Sequence, residues 1–143
     1  MPVRLLIADD DVTIRSLLRR LLESHGWEVC AECADGLEAA EKTLSLSPDV
    51  VILDLAMPKR NGLETARQIL LNDAGQPILL LTVQSVSKQL EEAARGIGFR
   101  GAVSKANGRE VITAIETLLR GEHFFVIDQV MDDLPGPSEQ KIA

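Results

Sequence analysis

The sequence has no apolar run long enough to cross a membrane. Its nearly continuous apolar segments, such as residues 50–53 and 78–81, are far shorter than the roughly 20 residues that a spanning helix needs. The N-terminus also lacks the apolar h-region of a secretory signal peptide. We therefore expect a cytoplasmic protein with no membrane partner.

Positive charge is scarce as well. Fifteen Lys and Arg residues stand against 22 Asp and Glu residues, which gives a formal net charge of −7. Because a chain of this charge has no overall attraction to polyanions, we expect the domain itself to bind no nucleic acid. The 143 residues, 45% of them hydrophobic and 26% charged, suffice for one compact domain with a buried core.

Cysteine and histidine are too few to support a metal or redox centre. Cys30 and Cys33 have the C-x-x-C spacing of a thioredoxin-like redox pair or of half a zinc site. However, they belong to a β-like segment, where residues three apart point to opposite faces. His25 and His123 are single residues far apart in the chain and do not complete a zinc site. We expect two reduced, partly buried thiols.

Five short apolar segments alternate with amphipathic helical patterns. The segments are residues 3–8, 27–31, 50–53, 78–81 and 102–103. The third and fourth are nearly pure Val, Ile and Leu, which is typical of strands buried on both faces of a parallel sheet. In the first helical pattern, apolar residues recur at helical spacing and leave Arg15, Arg19 and Arg20 for solvent. An Asp/Asn-Gly-x-Glu pattern begins at Asp35, Asn61 and Asn107 and predicts three N-capped helices.

This βαβαβαβαβα order predicts an α/β fold. The fold class is a flavodoxin-like (βα)5 doubly wound parallel sheet with strand order 2-1-3-4-5. We assign residues 1–121 to this domain and residues 122–143 to a C-terminal extension or linker, whose first part docks as a short strand or helix and whose end is rich in Pro and Gly. In such a sheet, ligands bind at the carboxyl ends of strands 1 and 3, where the winding reverses.

Carboxylates cluster at this predicted reversal point. Asp9, Asp10 and Asp11 follow strand 1, and Asp54 ends strand 3. A single Asp after a strand is most often the N-cap of the next helix, a role open to Asp10 or Asp11. Three carboxylates that meet without a cation repel one another and raise the pKa of at least one of them. We therefore predict a bound Mg²⁺, which prefers a few hard oxygen ligands.

Two more polar residues end strands at the same edge of the predicted sheet. Thr82 ends strand 4, and Lys105 follows strand 5. Taken singly, such a Thr is an ordinary half-exposed hydroxyl and such a Lys is solvated. Together with the carboxylates they make a set suited to phosphoryl transfer, namely a carboxylate nucleophile, a divalent ion and a cation for the phosphoryl oxygens.

The combined motifs resemble those of bacterial two-component response-regulator receiver domains. The similar features are Asp9-Asp10 after an apolar strand, residues 54–58 (DLAMP) with Asn61-Gly62 behind them, Thr82 and Lys105. The resemblance implies a domain that accepts a phosphoryl group from a sensor histidine kinase or phosphotransfer protein, and that is no enzyme beyond this self-catalysed chemistry. Residues 121–125 (GEHFF) are similar to the end of NarL-type receivers, which continue into a DNA-binding domain.

The resemblance also implies the metal and acceptor roles. Asp54 is the phosphoacceptor. Asp10 and Asp54 bind Mg²⁺ directly, together with the backbone carbonyl of Ala56, and Asp9 helps to hold the ion through water. Pro58 shapes the loop that follows strand 3, as does the glycine four residues later.

A second set of implied roles concerns the response to phosphorylation. Lys105 pairs with the phosphoryl group, and the Thr82 hydroxyl moves to hydrogen-bond to it. Helix 4 then shifts, and the surface of helix 4, strand 5 and helix 5 changes its contacts, including those of a homodimer. Three positions depart from the family pattern, because Ala102 replaces an aromatic residue, Val83 replaces Ala or Gly, and Ala106 replaces a frequent Pro. These departures leave the output mechanism open.

Three alternatives share parts of the pattern. A haloacid-dehalogenase-like phosphatase would use Asp9 as its nucleophile in an Asp-x-Asp motif, but the chain has no room for a cap domain. An FMN binder shares the architecture, but carboxylates after strand 1 would repel its phosphate. A degenerate receiver would act only as a binding module. The chain is either a stand-alone regulator or the receiver part of a longer transcription factor.

Overall fold

Six parallel strands form one sheet in the computed structural model, which describes residues 2–83, 85–105 and 108–125. The strands are β1 Arg4–Ala8, β2 Glu28–Cys33, β3 Val50–Asp54, β4 Ile78–Thr82, β5 Gly101–Ser104 and β6 Phe124–Phe125. Their order is β2-β1-β3-β4-β5-β6. The predicted order 2-1-3-4-5 is confirmed, with β6 added beside β5.

Five helices connect these strands. They are α1 Val12–Ser24, α2 Gly36–Leu46, α3 Gly62–Asn72, α4 Lys88–Ile97 and α5 Gly108–Leu119. Asp35 Oδ1 accepts from Glu38 N, and Asn61 forms a reciprocal capping box with Glu64, so two of the three predicted N-caps are confirmed. The third, at Asn107, lies outside the described residues. None of the helices in the described ranges is long and apolar enough to cross a membrane.

The sheet has a separate apolar core on each face. Along β3, Val51 and Leu53 belong to the core beneath α2, α3 and α4, whereas Val50 and Ile52 belong to the core beneath α1 and α5. All four side chains are fully buried. This alternation explains why the strand is apolar throughout, since both of its faces are covered.

The cysteines lie on the outer strand β2 as free thiols. Cys33 is buried, and burial raises the pKa of its thiol to about 12. Burial also raises the pKa of the half-buried Cys30 thiol. Burial thus favours the neutral thiol at both positions over the thiolate that redox exchange uses.

The two residues of β6 extend the sheet beyond β5. Phe124 pairs with Gly101 and Phe125 pairs with Ala102, in parallel register. The Arg95 guanidinium of α4 lies 4.0 Å from the centroid of the Phe125 ring. The start of the predicted extension thus docks as a strand. The boundary at residue 121 stays a prediction, and residues 126–143 lie outside the described part of the chain.

Candidate functional site

Three carboxylates meet where the sheet reverses its winding. Asp9 directly follows β1 and Asp54 ends β3, and these strands are neighbours with Ala8 opposite Leu53. Asp9, Asp10 and Asp54 each place a carboxylate oxygen within 4.8 Å of the others. Asp9 and Asp54 are buried and Asp10 is exposed. The fold therefore brings together the acidic residues that the sequence placed at two strand ends.

Lys105 joins this cluster from the end of β5. Its Nζ lies 2.5 Å from Asp9 Oδ2 and 2.9 Å from Asp54 Oδ1. Its backbone N–H donates to the Thr82 carbonyl at 2.8 Å, which ties the lysine to the end of β4. The side chain is only 9% exposed. Lys105 thus reaches across β4 to bridge the carboxylates that end β1 and β3.

Burial and charge shift the pKa values of this pair. Burial raises the pKa of Asp54, and the negative charges of Asp9 and Asp10 raise it further, against the opposing effect of Lys105. For Lys105, burial alone disfavours the ammonium form, but contacts with Asp9 and Asp54 outweigh it and raise its pKa. Lys105 therefore stays charged. The ionised form of Asp54 is disfavoured, because Lys105 offsets only part of the effects of burial and of the neighbouring carboxylates.

Asp9 is held by its backbone as well as its side chain. Its N–H donates to the Cys33 carbonyl at 2.9 Å, and its Oδ1 accepts from the Asp11 N–H at 2.9 Å. Its carbonyl accepts from Arg15 Nη1 at 2.6 Å. Asp11 points away from the cluster and caps α1, with Oδ1 accepting from Thr13 N at 2.8 Å. Of the two residues considered for the cap, Asp11 therefore takes that role.

The donor set fits a hard divalent cation. Among residues 2–83, 85–105 and 108–125, Asp9 Oδ2 has no partner with hydrogen-bond geometry, although the Lys105 ammonium pairs with it as an ion. Three carboxylates outnumber the one lysine, so the site retains an excess of negative charge. Asp10 and Ala56 are both exposed, so an ion held here would remain accessible to water. These are features that Mg²⁺ sites share.

The loop between β3 and α3 is fixed at two close approaches. Gly62 N–H donates to the Leu55 carbonyl at 2.8 Å, and a Cβ at Gly62 would lie 2.4 Å from the Asp54 carbonyl oxygen. At the other side, a Cβ at Gly36 would lie 2.4 Å from the Arg60 carbonyl oxygen. Both glycines let the loop pack closely, which holds the segment around Ala56 in place.

Thr82 and its neighbours complete the edge of the site. Thr82 is 2% exposed and lies opposite Ser104 in the β4–β5 register. Val83 is 74% exposed, so most of its side chain faces solvent. Ala102 is fully buried, between Leu80 of β4 and Phe125 of β6 in register. Ala106 lies outside the described residues.

Arg15 is the residue of this region that sequence reasoning misplaced. The helical pattern assigned it to solvent, but its side chain is only 15% exposed. It contacts the Asp9 carbonyl and Glu32 Oε1 of β2, the latter at 3.2 Å. The helical period marks one apolar stripe and does not show that an arginine at its border bends toward a loop.

The fold and the site together define a class of protein, the doubly wound α/β domain with an acidic pocket and a lysine at its reversal point. The chain matches the family model described as response regulator receiver domain over residues 5–117. It therefore belongs to the response regulator receiver family.

Named relatives and a solved structure agree with this assignment. The chain is 38% identical over 117 residues to the transcriptional regulatory protein PdtaR of Mycobacterium tuberculosis, covering 81% of this chain and 56% of that protein. It is 45% identical over 92 residues to the response regulator MprA of Mycobacterium sp. (strain KMS), covering 63% of this chain and 39% of that protein. The chain thus spans about half the length of these relatives, or less.

A two-component response regulator of the LuxR family from Aurantimonas sp. SI85-9A1 has a similar fold. Its crystal structure superposes with a TM-score of 0.85 at 29% identity, covering 96% of this chain and 98% of that one. The family takes part in phosphorylation-based signalling, and its named relatives include a transcriptional regulator.

Proposed function

We propose that this chain accepts a phosphoryl group on Asp54 in a Mg²⁺-dependent reaction, with a phosphohistidine of a sensor histidine kinase or phosphotransfer protein as donor. The observation that carries the proposal is the position of Asp54. It is a buried carboxylate at a strand end, 2.9 Å from Lys105 and within reach of two further carboxylates. We propose a cytoplasmic location, where such a kinase presents its phosphohistidine.

In the proposed reaction, one Asp54 carboxylate oxygen attacks the phosphorus atom. A new P–O bond forms as the P–N bond to the donor imidazole breaks, and the electron pair of that bond leaves with the imidazole. Asp9, Asp10, Asp54 and the Ala56 carbonyl would hold Mg²⁺. The ion held there would supply positive charge that offsets the charge of the transferring phosphoryl oxygens.

The lysine and threonine act on the product in this proposal. When the phosphoryl group occupies Asp54, Lys105 Nζ exchanges its ion pair with the carboxylate for one with a phosphoryl oxygen. The Thr82 hydroxyl donates to another phosphoryl oxygen. Later hydrolysis returns Asp54 and inorganic phosphate, so the chain acts on its own acceptor and on no other substrate.

We propose that output follows from the movement of Thr82. The segment from Thr82 to Ser87 leads directly into α4, so a shift of Thr82 moves that helix relative to β5. Within the described residues, α4 also contacts β6 through Arg95 and Phe125. β6 lies beside β5, at the edge of the sheet that a homodimer through α4, β5 and α5 would use.

We also propose that the chain is a NarL-type receiver that regulates transcription. The similarity to a LuxR-family response regulator and the GEHFF sequence at residues 121–125 support this. In that case the phosphorylated receiver would control a DNA-binding output domain through protein contacts, with no nucleic acid bound by the receiver itself. A stand-alone regulator would use the same surface on a separate target protein.

Incubation with acetyl phosphate and Mg²⁺ tests the central proposal by intact-mass measurement. Wild-type protein should gain one phosphoryl group, and Asp54→Asn or removal of Mg²⁺ by EDTA should abolish the gain. Asp11→Asn is the matched control, because Asp11 lies in the same loop but caps α1. Loss of labelling in Asp11→Asn but not in Asp54→Asn would contradict the assignment.

The same experiment separates the alternatives. A degenerate receiver that only binds partners would gain no phosphoryl group under any condition. A phosphatase with Asp9 as nucleophile would turn over added phosphomonoesters and would lose that turnover in Asp9→Asn. NMR spectra with and without a phosphoryl mimic test the switch, and unchanged α4 resonances would contradict it.

A further inference from the structure

The Arg15 guanidinium connects the acidic loop to strand β2. One arm, Nη1, donates to the Asp9 carbonyl at 2.6 Å, and Nε donates to Glu32 Oε1 at 3.2 Å. Glu32 is in turn held from its other oxygen by Arg19 Nε at 2.5 Å. The planar guanidinium group is therefore fixed between two acceptors.

The Asp9 carbonyl belongs to the peptide unit that joins Asp9 to Asp10. Because that unit is planar, fixing its carbonyl also fixes the direction in which the Asp10 backbone continues. Asp9 is already held through its N–H by Cys33 and through its side chain by Lys105 and the Asp11 N–H. Asp10, by contrast, is exposed. The hydrogen bond from Arg15 to the Asp9 carbonyl thus holds the backbone immediately before the exposed Asp10 carboxylate.

We infer that Arg15 is a positioning residue for the metal site, which sets the Asp9–Asp10 peptide so that both carboxylates face Asp54. This inference rests on the Mg²⁺-dependent function proposed above. Glu32 serves the same purpose by holding the guanidinium and by offsetting its positive charge beside a site for a cation. Mg²⁺ sites depend on such outer contacts because they keep the ligands in place before the ion binds.

A purely electrostatic role for Arg15 predicts the opposite result. If the guanidinium acted only as a positive charge near the site, its removal would strengthen Mg²⁺ binding. If it acts by holding the peptide, its removal weakens binding although a repelling charge is lost. The sign of the change in affinity therefore decides between the two roles.

Arg19 provides a matched control one helical turn away. It carries the same charge and binds the same glutamate, but its other partner is Glu23, at 2.8 Å. Within the described residues, no hydrogen bond joins Arg19 to Asp9. Arg15→Met and Arg19→Met thus each remove one arginine from Glu32, and only the first releases the Asp9 carbonyl.

Calorimetric titration with MgCl₂ is the deciding measurement. We expect Arg15→Met to weaken Mg²⁺ binding about tenfold, at the low end of the range for outer contacts of metal ligands, and Arg19→Met to change it less than about twofold. Arg15→Lys, which keeps one donor for the carbonyl, should recover part of the loss. Equal or tighter binding by Arg15→Met relative to Arg19→Met would overturn the inference.

A spectroscopic readout without metal checks the same contact. The backbone amide of Asp10 shares the peptide unit with the Asp9 carbonyl, so its ¹⁵N shift should change in metal-free Arg15→Met and stay near wild type in Arg19→Met. An unchanged shift in Arg15→Met would also overturn the inference. Failure of wild-type protein to bind Mg²⁺ would instead overturn the proposed function, and the two failures are therefore distinguishable.

Discussion

Lys105 offsets only part of the negative charge of the three carboxylates that it joins. Its ammonium lies between Asp9 and Asp54, and the exposed Asp10 adds a third charge nearby. The cluster is therefore costly for the folded protein whenever all three carboxylates are ionised and no cation is bound.

Replacing Asp54 by Asn should stabilise the metal-free protein at neutral pH. The pKa of Asp54 is higher in the folded protein than in the unfolded chain. The protonated carboxyl therefore favours the folded state below the ordinary pKa of 3.8, and this stabilisation is lost as pH rises through the folded pKa. Asp54→Asn removes the cost of an ionised carboxylate in the cluster at neutral pH. We expect a gain of roughly 1 kcal/mol in the free energy of unfolding in EDTA. Urea unfolding at neutral and acidic pH measures it.

Two controls accompany that measurement. At a hundredfold excess over its dissociation constant, Mg²⁺ should stabilise the wild-type protein by about 2.7 kcal/mol, and it should stabilise Asp54→Asn less. Asp11→Asn should leave stability nearly unchanged, because Asn also caps helices well. A metal-free Asp54→Asn protein that is less stable than wild type would show that the Lys105 ion pair outweighs the repulsion.

Replacing Gly62 by Ala should destabilise the loop that carries the acceptor. The added Cβ would lie 2.4 Å from the backbone oxygen of Asp54, which cannot move without disturbing β3. We expect a loss of about 1–3 kcal/mol in unfolding free energy, together with weaker Mg²⁺ binding. Gly96→Ala is the control, since nothing lies within 4 Å of a Cβ there. Equal stability of both variants would contradict the close approach.

Among the elements, α1 and β2 are joined by charge as well as by apolar packing. Glu32 of β2 accepts from Arg15 Nε at 3.2 Å and from Arg19 Nε at 2.5 Å. Bonding to Arg19 lowers the pKa of Glu32, and Arg15 lowers it further, although burial opposes the shift. We therefore expect acid to weaken the ionic contact between α1 and β2.

Replacing Glu32 by Gln should flatten the acid limb of the stability curve. Since the folded state lowers the pKa of Glu32, its contribution is full above the ordinary value of 4.5 and is lost as pH falls through the folded pKa. We expect Glu32→Gln to be less stable than wild type at pH 7, with a difference that shrinks below about pH 4.5. Thermal unfolding at several pH values measures it, with Glu41→Gln, at an exposed position of α2, as the control. A pH-independent difference would count against the ion pairs.

In the whole molecule, β6 connects α4 to the edge of the sheet. Arg95 of α4 stacks on Phe125 and also donates to Glu91 at 2.7 Å. Phe125 lies opposite Ala102 in the β5–β6 register. An aromatic side chain from β6 thus packs beside the buried methyl group of β5, at the helix that is expected to respond to phosphorylation.

A double-mutant cycle should show that this contact couples α4 to β6. Arg95→Met and Phe125→Leu together should cost about 0.5–1 kcal/mol less in unfolding free energy than the sum of the single changes. If α4 moves on activation, the coupling should change when a phosphoryl mimic and Mg²⁺ are present. Arg95→Met with Phe124→Leu is the matched control, because the Arg95 contact is with Phe125. Additive effects for Arg95 and Phe125 would contradict the coupling.

The sequence by itself determined the five strands β1 to β5, their order and the positions of the acidic residues. Continuous Val, Ile and Leu in β3 and β4 mark strands covered on both faces, and parallel strands carry their carboxyl ends to one edge. Asp9 and Asp54 were therefore predictable as neighbours, because their place depends on local pattern and on topology alone. The N-caps at Asp35 and Asn61 were also predictable, because N-capping depends only on the four residues at the start of a helix.

Only the tertiary structure decided which distant side chains meet. Arg15 turns to the Asp9 carbonyl, Lys105 crosses β4 to reach Asp9, and Phe125 docks beside Ala102 under Arg95. Hydrophobic periodicity specifies the face on which a residue lies, but it carries no information about the partner at that face. Long charged side chains and a two-residue strand depend on packing between elements, and that packing exists only once the sheet has formed.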